Sequence, residues 1–196
     1  LVNEVDHSAS VIGAVNTIVN TDGYLHAYNT DVIAVASLLK THHVTPSLPF
    51  ILQGSGGMAR AVAGAFYDAG FKQGTIVARN EQAGKELAQQ YGYDWVPEVG
   101  SLTAPVIVNV TPLGMEGGSE KDTLAFPQPT IEAAEVVFDV VAMPVETPLI
   151  QAGRAAGKEV ITGGEVAALQ AAEQFKLYTG VEVSAELVEE AEAQAN

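Results

Sequence analysis

Two stretches of this chain are almost unbroken runs of β-branched and apolar residues: Val106–Val110 (VIVNV) and Val136–Val141 (VVFDVV). A strand with one face in water alternates apolar and polar residues, whereas a strand apolar along its whole length is buried on both faces. Such strands need a covering layer on each side, and in parallel sheets helices supply it. Around the two runs, short apolar segments alternate with helical ones. Phe50–Gln53, Thr75–Ala78 and Glu159–Ile161 read as further strands. Helices are predicted over Met58–Ala69, over Gln82–Tyr91 entered from Asn80, from Thr147–Pro148, over Glu165–Tyr178 and over Ala185–Ala195. Thr147 is placed as a cap, with Pro148 at the first helical position. The acidic stretch Glu186–Glu192 reads as a solvated helix face. The βα alternation predicts an α/β fold: a doubly wound, Rossmann-type, mostly parallel sheet with helices on both faces.

Upstream, Val11–Val19 is β-rich, Thr21–Asp22–Gly23 is a hairpin turn signal, and Tyr24–Tyr28 reads as the return strand. Asn29–Thr30–Asp31 can cap a helix whose apolar positions lie in Val32–Leu39. A linker with two prolines, His42–Pro49, follows.

Gly54-Ser55-Gly56-Gly57-Met58-Ala59 fits the pattern G-x-G-x-x-A between a predicted strand and a predicted helix. In a dinucleotide site the first glycine makes the tight turn, and the second lets a pyrophosphate approach the backbone. The small third residue lets helix and strand pack closely. The helix N-terminus then offers free N–H groups to phosphate. The alternative is a glycine turn with no nucleotide. The next predicted strand ends at Ala78-Arg79-Asn80, where NAD-selective sites carry an acidic residue. A guanidinium pairs well with phosphate, so Arg79 favours NADP over NAD. Glu81 can partly neutralise that position, and Lys85 can assist it.

The 196 residues are 47% hydrophobic and 17% charged, a globular balance. Nine Lys and Arg against 24 Asp and Glu give a net charge of −15. No nucleic-acid or anionic-membrane partner is expected for such a chain. No cysteine is present, which excludes disulfides, thiolate catalysis and cysteine-held metal centres. No apolar run reaches spanning length and no signal peptide is read, so a cytoplasmic protein is the expectation. The adjacent His42 and His43 do not share a helix face; they read as linker residues, and no metal site is expected. Trp95 reads as a packing residue or loop anchor. Asp139 marks a strand end or caps the next loop, and Glu116–Asp122 reads as a surface loop or flap.

Several strings together resemble the shikimate dehydrogenase and quinate/shikimate dehydrogenase-like family. They are Gly13-Ala14-Val15-Asn16-Thr17, Asn29-Thr30-Asp31, the glycine loop with Ala59-Arg60, Asn109-Val110-Thr111-Pro112-Leu113-Gly114-Met115, Thr147-Pro148-Leu149, and Gly163 with Gln170-Ala171. Ile51–Ala63 and Phe138–Pro148 look closest to the shikimate dehydrogenase-like subgroup. The resemblance implies hydride transfer between NADP(H) and shikimate/3-dehydroshikimate, quinate or a related hydroxy acid. It implies that Asn16, Asp31 and Gln170 contact substrate, with Asp31 also the acidic partner of a catalytic lysine. It implies that Gly54, Ser55, Gly56, Gly57, Met58, Ala59, Arg79, Asn80, Thr111 and Gly163 lie along the cofactor. The implied organisation is a remnant of a substrate lobe over 1–29, an NADP-binding domain over 30–162, and helices returning to that lobe over 163–196.

The chain departs from the family pattern at three places. Nothing in Leu1–Ser10 matches the family's segment carrying a serine pair and the catalytic lysine, so the chain resembles a member lacking about its first quarter. None of Lys40, Lys72, Lys85, Lys121, Lys158 and Lys176 takes that lysine's place. The family's substrate-contacting tyrosine aligns with Ala142, and a second basic residue at the adenosine phosphate aligns with Ala83. An NADP-binding module without turnover is therefore the alternative. A methyltransferase-type α/β enzyme is the other, though its cofactor has no pyrophosphate for the loop to hold.

Overall fold

The structure is a computed structural model describing residues 2–184 and 186–188. In chain order the elements are β1 (Glu4–Val5), α1 (His7–Ser10), β2 (Thr17–Thr21), β3 (Tyr24–Tyr28), α2 (Thr30–Thr41), β4 (Phe50–Gln53), α3 (Gly57–Asp68), β5 (Gly74–Val77), α4 (Glu81–Tyr91) and β6 (Asp94–Val96). Then follow β7 (Val106–Asn109), α5 (Gln128–Ala133), β8 (Val136–Asp139), α6 (Pro148–Ala155), β9 (Glu159–Ile161) and α7 (Gly163–Thr179). Most of the helix expected over 185–195 lies outside the described residues; 186–188 are helical. No helix among the described residues is long and apolar enough to cross a membrane.

Six strands form one all-parallel sheet in the order β6-β5-β4-β7-β8-β9. The chain walks outward from β4 to β6, returns to the centre at β7, and walks out to β9. Successive residues of each strand point to opposite faces, and both faces are packed. Phe50, Leu52, Ile76, Val108 and Phe138 join a core with α2, α3, α4 and α7. Ile51, Val77, Ile107 and Val137 join a second core with α5 and α6. The apolar runs VIVNV and VVFDVV are thus the two strands β7 and β8, each extended by one or two residues of following loop.

A second, three-stranded sheet has the order β1-β3-β2. Its hairpin turns at Asp22 and Gly23, both at positive φ, as the right-handed strand twist requires. The strand expected to start at Val11 starts only at Thr17. The Asp6 carboxylate caps α1, accepting from Ser8 N at 2.8 Å, and the chain then turns through Gly13 at φ 66°. With no apolar period in Leu1–Ser10, α1 left no readable signal. The short β6 and α5, with prolines at its N-cap and in its first turn, were equally silent. α7 starts at Gly163, two residues earlier than expected, because Thr162 and Glu165 form a reciprocal capping box.

The helices α2 and α7 pack on one another. His42, the C-cap of α2, joins them to β9: its Nδ1 lies 2.6 Å from Glu159 Oε1 and its Nε2 2.8 Å from Glu165 Oε1. The reading of His42 as a plain linker residue, with no carboxylates beside it, is thus corrected. Those carboxylates arrive from 117 and 123 residues away, beyond the reach of local pattern. Burial alone lowers the pKa of His42, but the hydrogen bonds and charges of Glu159 and Glu165 outweigh it and raise the pKa. A raised folded-state pKa stabilises the fold fully below about pH 6.5, and that stability is lost as pH rises through the folded value. Comparing thermal melts of the unmodified chain and His42→Gln tests this. The variant should be less stable by about 1 kcal/mol at pH 6, the exposed Glu159 end moderating the loss. The difference should shrink at pH 9, whereas a gap that holds constant across this range refutes the charged clasp.

Candidate functional site

Where a doubly wound chain leaves two neighbouring strands in opposite directions, a crevice opens at their carboxyl ends. Here those strands are β4 and β7. Gly54 leaves β4 at φ 134°, and its N–H donates to Val77 O at 2.8 Å. A Cβ there would lie 2.7 Å from Val110 Cγ2 and 3.0 Å from Val110 O. Glycine is therefore required twice, by conformation and by close approach. Gly56 is the N-cap of α3, and no side chain caps that helix. Cβ atoms at Gly56 and Gly57 would meet nothing, so the turn faces open space. Met58 is half-buried and Ala59 wholly buried in the first turn of α3.

Beside the turn lies a cleft of about 570 Å³ lined by Gly54, Ser55, Arg79, Asn80, Thr111 and, from the loop after β7, Glu120 and Thr123. Arg79 is exposed and has no ion pair or side-chain hydrogen bond among the described residues. Glu81 does not neutralise it, since Lys85 Nζ donates to Glu81 Oε1 at 2.6 Å. Lys85 also sits 4.9 Å from the centre of the Trp95 ring, and Trp95 Nε1 donates to Ala78 O. Lys85 is thus engaged by Glu81 and Trp95 rather than placed to assist Arg79. Asn80 spends its side chain on the helix, Oδ1 accepting from Ala83 N at 3.1 Å.

The far wall of the cleft is held by buried polar groups. Thr111 N and Oγ1 both donate to Asn109 Oδ1, at 3.1 and 2.6 Å. Asn109 Nδ2 donates to Asp139 Oδ1 at 3.0 Å, straight across the β7–β8 register. Asp139, wholly buried, also accepts from Val141 N at 3.1 Å and Thr147 Oγ1 at 2.7 Å. Thr147 in turn caps α6. Sequence reasoning missed this ladder, though each apolar strand ends in one polar residue at the same register. Gly163 closes the arrangement. Any Cβ on it would collide with the Val141 carbonyl, so the start of α7 sits directly on the loop after β8.

Asn16, Asp31 and Gln170 do not line this cleft. Asn29 caps α2, its Oδ1 accepting from Val32 N at 3.2 Å, which leaves Asp31 in the first turn, free of the capping role. Asp31 Oδ1 is buried without a hydrogen-bond partner. Burial raises the Asp31 pKa, and the Asn16 side chain opposes this in part. Asn16 Oδ1 accepts from Thr30 N at 2.9 Å, so Asn16 and Asp31 are brought together at the start of α2. Gln170 is half-buried on α7 and makes no side-chain hydrogen bond among the described residues. One turn further, on the same face, Gln174 Nε2 reaches Thr17 Oγ1 and Thr30 Oγ1. No group of three or more His, Asp or Glu side chains among the described residues is placed to hold a metal ion.

No protein-family model matches the chain. Individual relatives do. A shikimate dehydrogenase-like protein of Haemophilus influenzae is 49% identical over 191 residues, covering 97% of this chain and 70% of that protein. The solved structure of a shikimate 5-dehydrogenase-like protein superposes with a TM-score of 0.95 at 49% identity, over 99% of this chain and 72% of that one. The chain belongs to the shikimate dehydrogenase family. A shikimate 5-dehydrogenase of Thermus thermophilus, solved with NADP(H) and shikimate, matches at 31% identity and a TM-score of 0.86, over 100% of this chain and 73% of that one. Membership of the shikimate dehydrogenase family agrees with the strings that carried the resemblance, and it places the Gly54 turn in a fold solved with a dinucleotide.

Burial of Asp139 pushes its pKa up to about 6, with the hydrogen bonds from Thr147, Val141 and Asn109 acting the other way. A raised carboxyl pKa means that ionisation between about pH 4 and 6 costs stability. Asp139→Asn can keep Oδ1 for Asn109 and Val141 while its amide faces Thr147. Urea melts should show this variant more stable than the unmodified chain by on the order of 1 kcal/mol at pH 8. The gain should vanish as pH falls through about 6 toward 4; a gain that persists at pH 4 would contradict the buried charge.

Proposed function

We propose that this chain binds NADP(H) in the crevice between β4 and β7, and serves hydride transfer between NADP(H) and shikimate/3-dehydroshikimate, quinate or a related hydroxy acid. The observation that carries the cofactor reading is the unpaired Arg79 guanidinium in the same cleft as the Gly54 turn. The residues present fit a phosphate-bearing dinucleotide. The N–H groups of the uncapped α3 N-terminus, beside the open faces of Gly56 and Gly57, can receive a pyrophosphate. Arg79 can pair with a 2′-phosphate. Ser55, Asn80 and Thr111 flank the cleft, and Gly163 keeps the start of α7 against the loop after β8. The bound nicotinamide supplies or accepts the hydride.

Asp31 is suited to the proton half of the reaction. When a carbinol becomes a carbonyl, its hydroxyl proton must leave as the hydride does. Asp31, with its pKa raised and one oxygen lacking a partner, can hold or pass that proton. The Asn16 and Gln170 amides can orient substrate hydroxyls. A second reading, an NADP-binding module without turnover, has its own observation. No lysine pairs with Asp31 among the described residues, and Lys40 sits in the last turn of α2, at the far end from Asp31.

NADP⁺ reduction by the purified chain with shikimate or quinate, beside an NADPH titration, separates the readings. Turnover supports the dehydrogenase, binding alone supports the module, and absence of binding defeats both. Arg79→Ala should weaken NADPH binding roughly 10- to 100-fold, the worth of a charge-assisted contact, while leaving NADH almost unchanged. Equal losses for both dinucleotides would exclude a 2′-phosphate role. Where turnover is measured, Asp31→Asn should lower kcat by roughly 10²- to 10⁴-fold with NADPH binding intact.

A further inference from the structure

We propose that Gln174 is a positioning residue: from α7 it sets the direction of the Thr17 and Thr30 hydroxyls, and through them the orientation of the Asn16 amide beside Asp31. This rests on the reading of Asn16 and Asp31 as substrate-handling groups. Asn16 Oδ1 faces three donors: Thr30 N at 2.9 Å, Thr17 Oγ1 at 2.9 Å and Thr30 Oγ1 at 3.2 Å. The backbone N–H of Thr30 can only donate, so the atom it meets must be the amide oxygen. The Asn16 NH₂ group is then directed elsewhere, while Thr30, which holds the amide oxygen, is the chain neighbour of Asp31.

The two hydroxyls are the adjustable part of this arrangement. Each has one proton and can either donate to Asn16 or turn away. Both threonines are buried, at 1% and 0% exposure, so water does not set the choice. Gln174 does. Its Nε2 stands 3.5 Å from Thr17 Oγ1 and 3.4 Å from Thr30 Oγ1, and an amide N–H₂ is a donor only. Hydroxyls that accept from Gln174 keep their own protons for Asn16 Oδ1. An amide fixed before substrate arrives need not be ordered on binding, which favours both affinity and alignment.

Gln174→Glu and Gln174→Met separate this role from simple space-filling. A carboxylate at 174 accepts only, so it draws the hydroxyl protons away from Asn16. Methionine fills similar space and leaves the hydroxyls undirected. The Asn16 side-chain NH₂ signals in ¹⁵N NMR of the purified chain should move most in Gln174→Glu and less in Gln174→Met. Gln174→Met adds no charge, so movement of the Asn16 signals in that variant reports the loss of the amide donor alone. Should Gln174→Glu fail to fold, Thr17→Val removes one hydroxyl and should move the same Asn16 signals. Unmoved Asn16 signals, or equal shifts for Glu and Met, overturn the proposal. The NMR readout does not depend on turnover or on NADPH, so a failed dehydrogenase reading leaves it intact. With turnover, KM for the hydroxy acid should rise several-fold while NADPH affinity holds.

Discussion

The contact of Gly54 with Val110 is the constraint on which the functional end of the molecule depends. β4 and β7 lie side by side, yet the chain departs from them toward opposite edges of the sheet. The two exits must pass each other within van der Waals reach. The 2.7 Å separation between a hypothetical Gly54 Cβ and Val110 Cγ2 shows how little room remains. Beyond that passage the two chain segments diverge toward opposite edges, and the divergence opens the crevice. The open faces of Gly56 and Gly57 and the uncapped start of α3 are consequences of the same turn.

Rigidity on the opposite wall comes from burying polar groups rather than avoiding them. Asn109 and Asp139 end two strands that are otherwise apolar, and each is wholly buried. Burying a carboxyl is costly unless its oxygens are occupied, and three donors occupy those of Asp139. The raised pKa records the desolvation that remains. In exchange, the loop at Thr111 and the cap at Thr147 are fixed relative to one register pair in the sheet. Two apolar residues at 109 and 139 would satisfy the core equally well but would leave both loops without an anchor.

Much of the fold was legible in the sequence because it is written in short-range pattern. The unbroken apolar runs, Asn80 and Thr147 as caps, and Pro148 at a helix start are local signals, and the structure uses each as expected. The Gly54 turn was equally local. What escaped was built from contacts between distant residues or from segments without a period. α1 rests on one aspartate, and α5 carries prolines at its N-cap and in its first turn. His42 read as a linker residue because Glu159 and Glu165 arrive only through tertiary structure. At the candidate site the glycine spacing was a local signal for the Gly54 turn, whereas the roles proposed for Asn16, Asp31 and Gln170 come from resemblance. Thr17, Thr30 and Gln174 carry no signature, since a buried hydroxyl has significance only when its donors and acceptors are known.

These distant contacts share a geometry. Thr30 at the start of α2 meets Gln174 late in α7, and His42 at the end of α2 meets Glu165 at the start of α7. The two helices are therefore antiparallel and fastened at both ends. The fasteners differ in kind. One is a charged clasp that weakens as His42 loses its proton, and the other is a neutral relay of hydroxyls insensitive to pH near neutrality. Glu159, in β9, ties the charged clasp to the sheet, and the other oxygen of Glu165 accepts from Thr162 N at 2.7 Å within the capping box of α7. A shift of α7 along α2 would have to break an ion pair at one end and reorient the Asn16 amide at the other. The start of α7 is also pinned at Gly163, against the loop that Asp139 holds. The loop after β8 and the threonines that hold Asn16 are thus both in contact with a single helix, α7, whose seat on α2 is kept by the two fasteners along it.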